Sequence, residues 1–342
     1  MTKTLIDRAE AGKNFTRREA EELMEELLSG RVETDEIVRL LTAMNARAVQ
    51  VLELVGFASV MRRHAAKVFA EGEGPPEHLV DTCGTGGKTF ATFNISTAAA
   101  FVAAAAGARV AKHGNRASRA GSGSADVIEA LGVRIDLPIE RHGRALREIG
   151  IGFFFARMAH AAAKHAAPAR QKIGSRTVFN LLGPLTNPAG ARAQVMGVPS
   201  EDLIDLIAYT LAELGTEHAF VVHGAGGLDE ISLAGETLVA EVRDGSVRRF
   251  SVTPEDFGVS RAPIEAVAGG TAEENARTIR GVFSNKDGAP KDVIIANAAA
   301  ALVAAGIAND FQEGARLAGT ALASGTAQKK LLALAEFTRG SE

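Results

Sequence analysis

The chain has 342 residues, of which 46% are hydrophobic and 23% charged, with a formal net charge of −3. Such a chain can bury a large core and is not disordered, and its balanced charge carries no electrostatic footprint for nucleic acid. The length predicts two domains, or one large and one small. A single cysteine, Cys83, excludes an internal disulfide and a cysteine metal cluster; beside a glycine loop it reads as a small buried filler. The opening MTKTLIDRAEAGKNF is charged and has no apolar core, and no apolar run reaches membrane-spanning length. A soluble cytoplasmic protein without nucleic-acid or membrane partners is expected.

Residues 1–70 read as helices only. Thr16-Arg17-Arg18-Glu19 is a capping box, followed by an apolar stripe of Ala20, Leu23, Leu27 and Leu28 up to Gly30. Thr34 is expected to cap the next helix, with Ile37, Leu40, Leu41 and Met44 on one face, and helical pattern continues from Val49 to Phe69. Glu71–Pro76 is a linker by composition. Strands and helices then alternate: strand over Leu79–Cys83, helix 95–106, strand Ala108–Lys112, helix Ala125–Leu131, strand Ile151–Phe155 and helical pattern over 160–173. Next come strand Val195–Val198, helix Leu203–Leu214, strand Ala219–His223, and a hairpin of strands near 237–242 and 247–251 around Asp244-Gly245. Three helices near 272–284, 290–305 and 310–324 close the chain. The pattern implies an α/β fold: a small N-terminal helical domain (1–72) beside a larger domain (77–342) with a mainly parallel sheet flanked by helices.

The chemistry concentrates in VDTCGTGGKTFATFNIST, residues 80–97. Gly84, Gly86 and Gly87 let backbone N–H groups approach a ligand, and Asn94, Ser96 and Thr97 precede an apolar helix. A glycine loop feeding a helix N-terminus is an anion cradle, although a tight turn with a helix cap would read the same way. Asp229-Glu230 follows an apolar strand in HGAGGLDEIS. Paired carboxylates at a strand's carboxyl end suit Mg²⁺, and the bland alternative is a solvated loop. Lys112-His113-Gly114-Asn115-Arg116 also follows a strand and could equally be a basic turn facing water. Asn180–Pro188, broken by Gly183, Pro184 and Pro188, reads as a shaped connection near a domain junction, structural in role. Neither a Ser-His-Asp arrangement nor metal-ligand histidine spacing stands out.

DTCGTGG, NIST, KHGNRA (112–117), SGSAD (122–126), TVFNLLGPLTNP (177–188) and GLDE (227–230), in that order, resemble the anthranilate phosphoribosyltransferase family over nearly the whole chain. GTGG alone is a weak signal, since pyrimidine nucleoside phosphorylases share the plan; NLLGPLTNP and KHGNRA in one chain are specific. The resemblance implies transfer of phosphoribosyl from phosphoribosyl pyrophosphate to the anthranilate amine in tryptophan biosynthesis. It also implies Mg²⁺ as cofactor and a homodimer formed through the helical domain, to which part of 160–190 returns. By the same resemblance, Gly84, Gly87, Lys88, Thr92, Asn94, Ile95, Ser96, Thr97, Lys112 and Ser124 hold the donor. Gly84, His113, Asn115 and Arg170 face the acceptor, Arg170 through the acceptor carboxylate. Ser96, Asp229 and Glu230 are the implied metal ligands. An arylamine is already a nucleophile and the hard problem is leaving-group charge, so no general base is assigned.

Three positions depart from the family pattern. Lys88 stands where Asp normally follows GTGG, and Arg119-Ala120 where paired serines are usual. Ala159-His160-Ala161-Ala162-Ala163 replaces a Phe-His-Pro segment with a bulky residue soon after. Two further readings therefore stay open: a paralogue or engineered variant using another aromatic or heterocyclic acceptor or phosphate, and a weakly active binding protein on the same fold.

Overall fold

The computed structural model describes residues 2–87, 90–117 and 121–340; the expectations for Lys88 and Arg119-Ala120 lie outside them. Four helices open the chain: α1 (Thr2–Glu10), α2 (Arg17–Leu28), α3 (Thr34–Asn45) and α4 (Val51–Arg63). Thr16 caps α2 through the reciprocal box with Glu19. Thr34, in contrast, is the first residue of α3; Glu33 holds the cap position and makes no side-chain cap bond. Helix α4 stops at Arg63, short of Phe69.

The larger part follows as β1 (Leu79–Asp81), α5 (Ile95–Ala105), β2 (Arg109–Gly114), α6 (Ser124–Ala130), α7 (Ile139–Glu148), β3 (Ile151–Phe155), α8 (Ala156–Ala159), α9 (Ala167–Ile173) and α10 (Phe179–Leu182). It continues with β4 (Ala193–Gly197), α11 (Asp202–Glu213), β5 (His218–Gly224), β6 (Thr237–Arg243), β7 (Ser246–Val252), α12 (Ala272–Phe283), α13 (Ala289–Ala304), α14 (Phe311–Ala323) and α15 (Thr326–Arg339). Two long helices, α7 and α15, escape the sequence reading, as do the one-turn helices α8 and α10. Helix α7 carries a mid-helix glycine, Gly143, that looks like a breaker; a Cβ there would lie 2.4 Å from the Val68 carbonyl, so the helix keeps glycine for close packing. Helix α15 makes four closing helices rather than three. It lies directly behind Gly325, yet buries a regular face of Ala327, Leu331, Leu334 and Ala335.

The sheet has seven strands in the order β3-β2-β1-β4-β5-β6-β7. β1 to β5 run parallel, and β6 and β7 add an antiparallel ribbon. Asp244 and Gly245, at φ +48° and +80°, form its turn, the pair of left-handed residues that a two-residue hairpin demands. One face of the sheet packs under α5, α13, α14 and α15, where alanines let the helices approach closely. The other face packs on α11, and that core runs on without interruption into α1–α4, together with Ala166, Ala169, Phe179 and Leu182. Among the described residues no helix is long and apolar enough to cross a membrane.

Candidate active site

Strand β1 is central, with its neighbours β2 and β4 reached in opposite directions, so a crevice opens beyond its carboxyl end. The glycine loop leaves β1 there and is tied across to β4 by the Thr85 N–H donating to the Gly197 carbonyl at 2.9 Å. Thr82 Oγ1 donates to the Ser96 carbonyl at 3.1 Å, which draws the start of α5 against the same loop. Asn94 enters α5 in the left-handed conformation at φ +65° and caps with its backbone carbonyl rather than its side chain. Its amide instead donates to the Ser122 carbonyl at 2.9 Å and accepts from Asn275 at 2.9 Å, joining the entry of α5 to the loop before α6 and to the first turn of α12. Ile95 and Thr97 are buried behind it, and Thr92 is buried in a bridge to Ala268.

The loop after β5 folds back so far that a Cβ on Gly197 would sit 1.6 Å from the Asp229 carbonyl, while a Cβ on Gly84 would lie 3.2 Å from Asp229 Oδ2. Glycine at both positions makes room for these approaches. Ser96, Asp229, Glu230, Gly84 and Thr82 thereby line one small cavity of about 10 Å³. Asp229 and Glu230 are both buried. Two carboxylates and a hydroxyl are hard oxygen donors, the set that Mg²⁺ prefers, so the residues fit that ion.

Beside this cavity lies a second polar group. Strand β2 runs to Gly114, so Lys112, His113 and Gly114 are strand residues rather than a loop behind one. Lys112 is buried and donates to the Thr82 carbonyl at 2.5 Å. Asp81, fully buried, accepts from the His113 backbone N–H at 3.2 Å and from Asn187 Nδ2 at 2.7 Å. Burial lifts the Asp81 carboxyl to about 6 against the opposing pull of Lys112. Burial likewise drives the His113 imidazole down to about 3, with the neighbouring His160 adding to it. The two rings meet edge to face at 5.3 Å, and neither His113 nitrogen has a well-formed hydrogen bond, although the Gly183 backbone acts to favour its protonated form. Asp81, Cys83 and His113 bring ligand atoms within 4.8 Å of one another. Both Asp81 oxygens are already bonded and the Lys112 charge acts on all three groups, so this trio is a buried network rather than a cation site.

Ser124, at the start of α6, packs on Gly114 and donates to the Asn115 carbonyl at 3.4 Å, fixing the exposed Asn115 beyond β2. Arg170 belongs to a different wall: it sits on α9 and lies over the Phe179 ring at 5.3 Å. Among the described residues no carboxylate pairs with it, and desolvation lowers its pKa. His160, between α8 and the short 3₁₀ turn of Ala161–Ala166, is buried with Nε2 3.3 Å from Thr186 Oγ1.

Sequence reasoning misses Asp81, Arg176 and Asn187, and it registers His160 only as part of a departure from the family pattern. Asn187 lies in the connection read as purely structural, and it reaches the centre of the network. The available signal is its place between Pro184 and Pro188, in a segment too irregular to be a plain helix. Arg176 extends its guanidinium to the glycine loop, where Nη2 donates to the Thr85 carbonyl at 3.0 Å.

A model described as the helical bundle domain of a glycosyl transferase family matches residues 3–65, and one described as the a/b domain of that family matches residues 76–328. A protein of Desulforamulus reducens named anthranilate phosphoribosyltransferase is 50% identical over 98% of this chain and 96% of its own length. One of the same name from Rubrobacter xylanophilus is 50% identical over 100% and 98%. Among solved structures, the anthranilate phosphoribosyltransferase of Thermus thermophilus superposes with a TM-score of 0.91 at 43% identity, covering 98% of this chain and 99% of that one. The Saccharomyces cerevisiae enzyme, in complex with PRPP and Mg, gives 0.84 at 26% identity over 94% and 93%.

Proposed function

The chain belongs to the anthranilate phosphoribosyltransferase family, and from that membership we propose how its own residues divide the work. The reaction joins the anthranilate amine to the ribose C1 of phosphoribosyl pyrophosphate and releases pyrophosphate. The observation that carries the division is the convergence of Ser96, Asp229 and Glu230 with Gly84 on one cavity at the sheet's carboxyl edge.

The glycine loop and the first turn of α5 present backbone N–H groups to the donor's phosphates. Gly84, Gly87, Thr92, Asn94, Ile95, Ser96 and Thr97 shape that seat, with Lys112 and Ser124 behind it; Lys88 is assigned to the same seat by family resemblance. Ser96, Asp229 and Glu230 would hold Mg²⁺. When bound, that ion offsets charge developing on the leaving pyrophosphate. His113 and Asn115 face the acceptor, and Arg170 takes its carboxylate. His113 stays neutral at pH 7 and offers an uncharged imidazole. No general base is assigned: the amine attacks C1 with its own lone pair as the C1–O bond to pyrophosphate breaks, and the proton lost from nitrogen passes to the departing pyrophosphate or to water.

The same reading makes residues 1–72, with the part of 160–190 that shares their core, the helical unit, and 77–342 the donor-binding unit. A homodimer through the helical unit and a cytoplasmic place in tryptophan biosynthesis complete it, supported by family membership. The test is a product assay by mass spectrometry with donor, Mg²⁺ and anthranilate. Phosphoribosyl-anthranilate and pyrophosphate appearing in equal amounts is the expected result. Donor binding without that product overturns the assignment.

A further inference from the structure

Arg176 occupies a position that no motif announces. It is an exposed residue three positions beyond the end of α9. Its backbone carbonyl accepts from Asn45 Nδ2 at 2.8 Å, which ties it to the last residue of α3 in the helical layer. Its guanidinium crosses to the other layer: Nη2 donates to the Thr85 carbonyl, and Nη1 is so close to Gly87 that a Cβ there would lie 2.0 Å away. Gly87, at φ +89°, therefore has two reasons to be glycine, its own backbone and the arginine lying against it. On the same short loop, Gly84 closely approaches Asp229. The loop is thus pressed between a cation on one flank and an expected metal ligand on the other. Burial lowers the Arg176 pKa, and the Asp229 charge, acting through the few residues of loop that separate the two groups, partly opposes that and favours the guanidinium.

We propose that Arg176 is a positioning residue with two duties: it clamps the glycine loop in its anion-accepting form, and it is the counter-charge that Asp229 gives up when a divalent cation binds. The proposal rests on the reading of Asp229 as a metal ligand. Its physical content is a competition. A guanidinium near Asp229 lowers that carboxylate's attraction for a second cation, yet its hydrogen bond to Thr85 keeps the phosphate seat open. The two duties therefore pull a substitution in opposite directions, which a general loss of structure cannot imitate.

The experiment uses the full chain and two readouts. Mn²⁺ alone, standing in for Mg²⁺, is titrated onto the protein without substrates, and free ion is measured by electron paramagnetic resonance. Steady-state rates give the donor KM. Arg176→Gln is expected to bind Mn²⁺ tighter by roughly threefold or more while the donor KM rises by about tenfold. Arg176→Lys, which keeps the charge and loses the fork, is expected to return Mn²⁺ affinity to the wild-type value and to restore the donor KM only in part. Asp229→Asn serves as the control and is expected to weaken Mn²⁺ binding. If Asp229→Asn weakens it but Arg176→Gln leaves it unchanged or weaker, the counter-charge role is overturned and the metal assignment stands. If neither variant changes Mn²⁺ binding, both fall. If the donor KM of Arg176→Gln is unchanged, the clamp is overturned.

Discussion

Two buried polar groups, one in the helical layer and one at the sheet edge, have opposite bonding economies. Glu53, fully buried on α4, accepts from the backbone N–H groups of Phe15 and Gln50 at 2.8 Å each and from both terminal nitrogens of Arg47. Arg47 also donates to Asn14 and lies over Phe15, so the entry to α2 and the start of α4 are knotted around one carboxylate. At the sheet edge, His113 is comparably buried, yet among the described residues neither ring nitrogen makes a well-formed bond beyond the Gly183 backbone interaction, and Lys112 spends its ammonium on a backbone carbonyl. A buried charge with its lone pairs occupied specifies structure; a buried polar group left short of partners costs stability and marks a place meant to bind something else.

The largest effect comes from breaking the knot around Glu53, whose carboxylate is fully bonded although Arg47 Nε is not. Glu53→Ala strands Arg47 and two backbone donors and is expected to cost about 3–5 kcal/mol in denaturant unfolding. The anthranilate KM of the fraction still folded should be unchanged; a large KM change without loss of stability would place Glu53 in the wrong category. The reverse experiment is Asp229→Asn with Glu230→Gln. Loop carboxylates crowded together carry little folding energy, so the unfolding midpoint should hold. Turnover should fall by about a hundredfold or more as leaving-group charge loses its counter-ion. Near-normal Mg²⁺-dependent turnover in this double variant would remove both residues from the metal site.

The third test asks whether poor bonding marks function everywhere. His142, on α7, is buried against Phe154 and has no well-formed ring hydrogen bond, although the Ile135 backbone and Asp136 favour its protonation slightly and Arg141 opposes it. Burial holds it down to about 4. The unfolded chain, with an imidazole near 6.5, binds that proton first. Stability from His142 is therefore present above about pH 6.5 and is lost as pH falls from there towards 4. His113 and His160 act in the same direction, while Asp81, raised to about 6, takes up its proton in the folded state and opposes them between about 6 and 4. His142→Phe should flatten the decline in unfolding free energy by about 3 kcal/mol between about pH 7 and pH 4. An unchanged slope would mean that the ring already protonates freely in the native state.

These contrasts also show what sequence can carry. Strands β3 and β5 are legible as apolar runs set off by glycines, and the β6–β7 hairpin because Asp244-Gly245 has few other uses. Gly84, Ser96, Asp229 and Glu230, which line one cavity, are legible as candidates because glycine loops and carboxylates at strand ends have a recognisable local chemistry, while their joint role at a metal is implied only by the family resemblance. The Asp81–Asn187 bond spans 106 residues and the Arg176–Thr85 bond 91. Nothing local in either partner encodes the meeting, which is made by the sheet order and by α9 returning to the helical layer. Asp229-Glu230 likewise has no cation near it in sequence, whereas the fold places Arg176 within its field.

The smallest effect tests a cation rather than a carboxylate. Arg170 lies over Phe179 with no carboxylate partner among the described residues, and desolvation lowers its pKa, so its charge is held ready at some cost. On the proposed assignment, an acceptor carboxylate would offset that cost through one charge-assisted contact, worth about 1.5–3 kcal/mol. Truncation to alanine would also remove a stem packed near the Phe179 ring and confuse the two effects. Arg170→Gln keeps most of the stem and a donor while removing the charge. It should raise the anthranilate KM about tenfold, leave the donor KM within about twofold, and leave the unfolding midpoint in place. The companion measurement replaces anthranilate with aniline, which lacks the carboxylate: the wild type should lose its advantage over Arg170→Gln. A selective rise in donor KM would instead put Arg170 on the phosphate side. An equal advantage with aniline would reduce its role to the stack on Phe179.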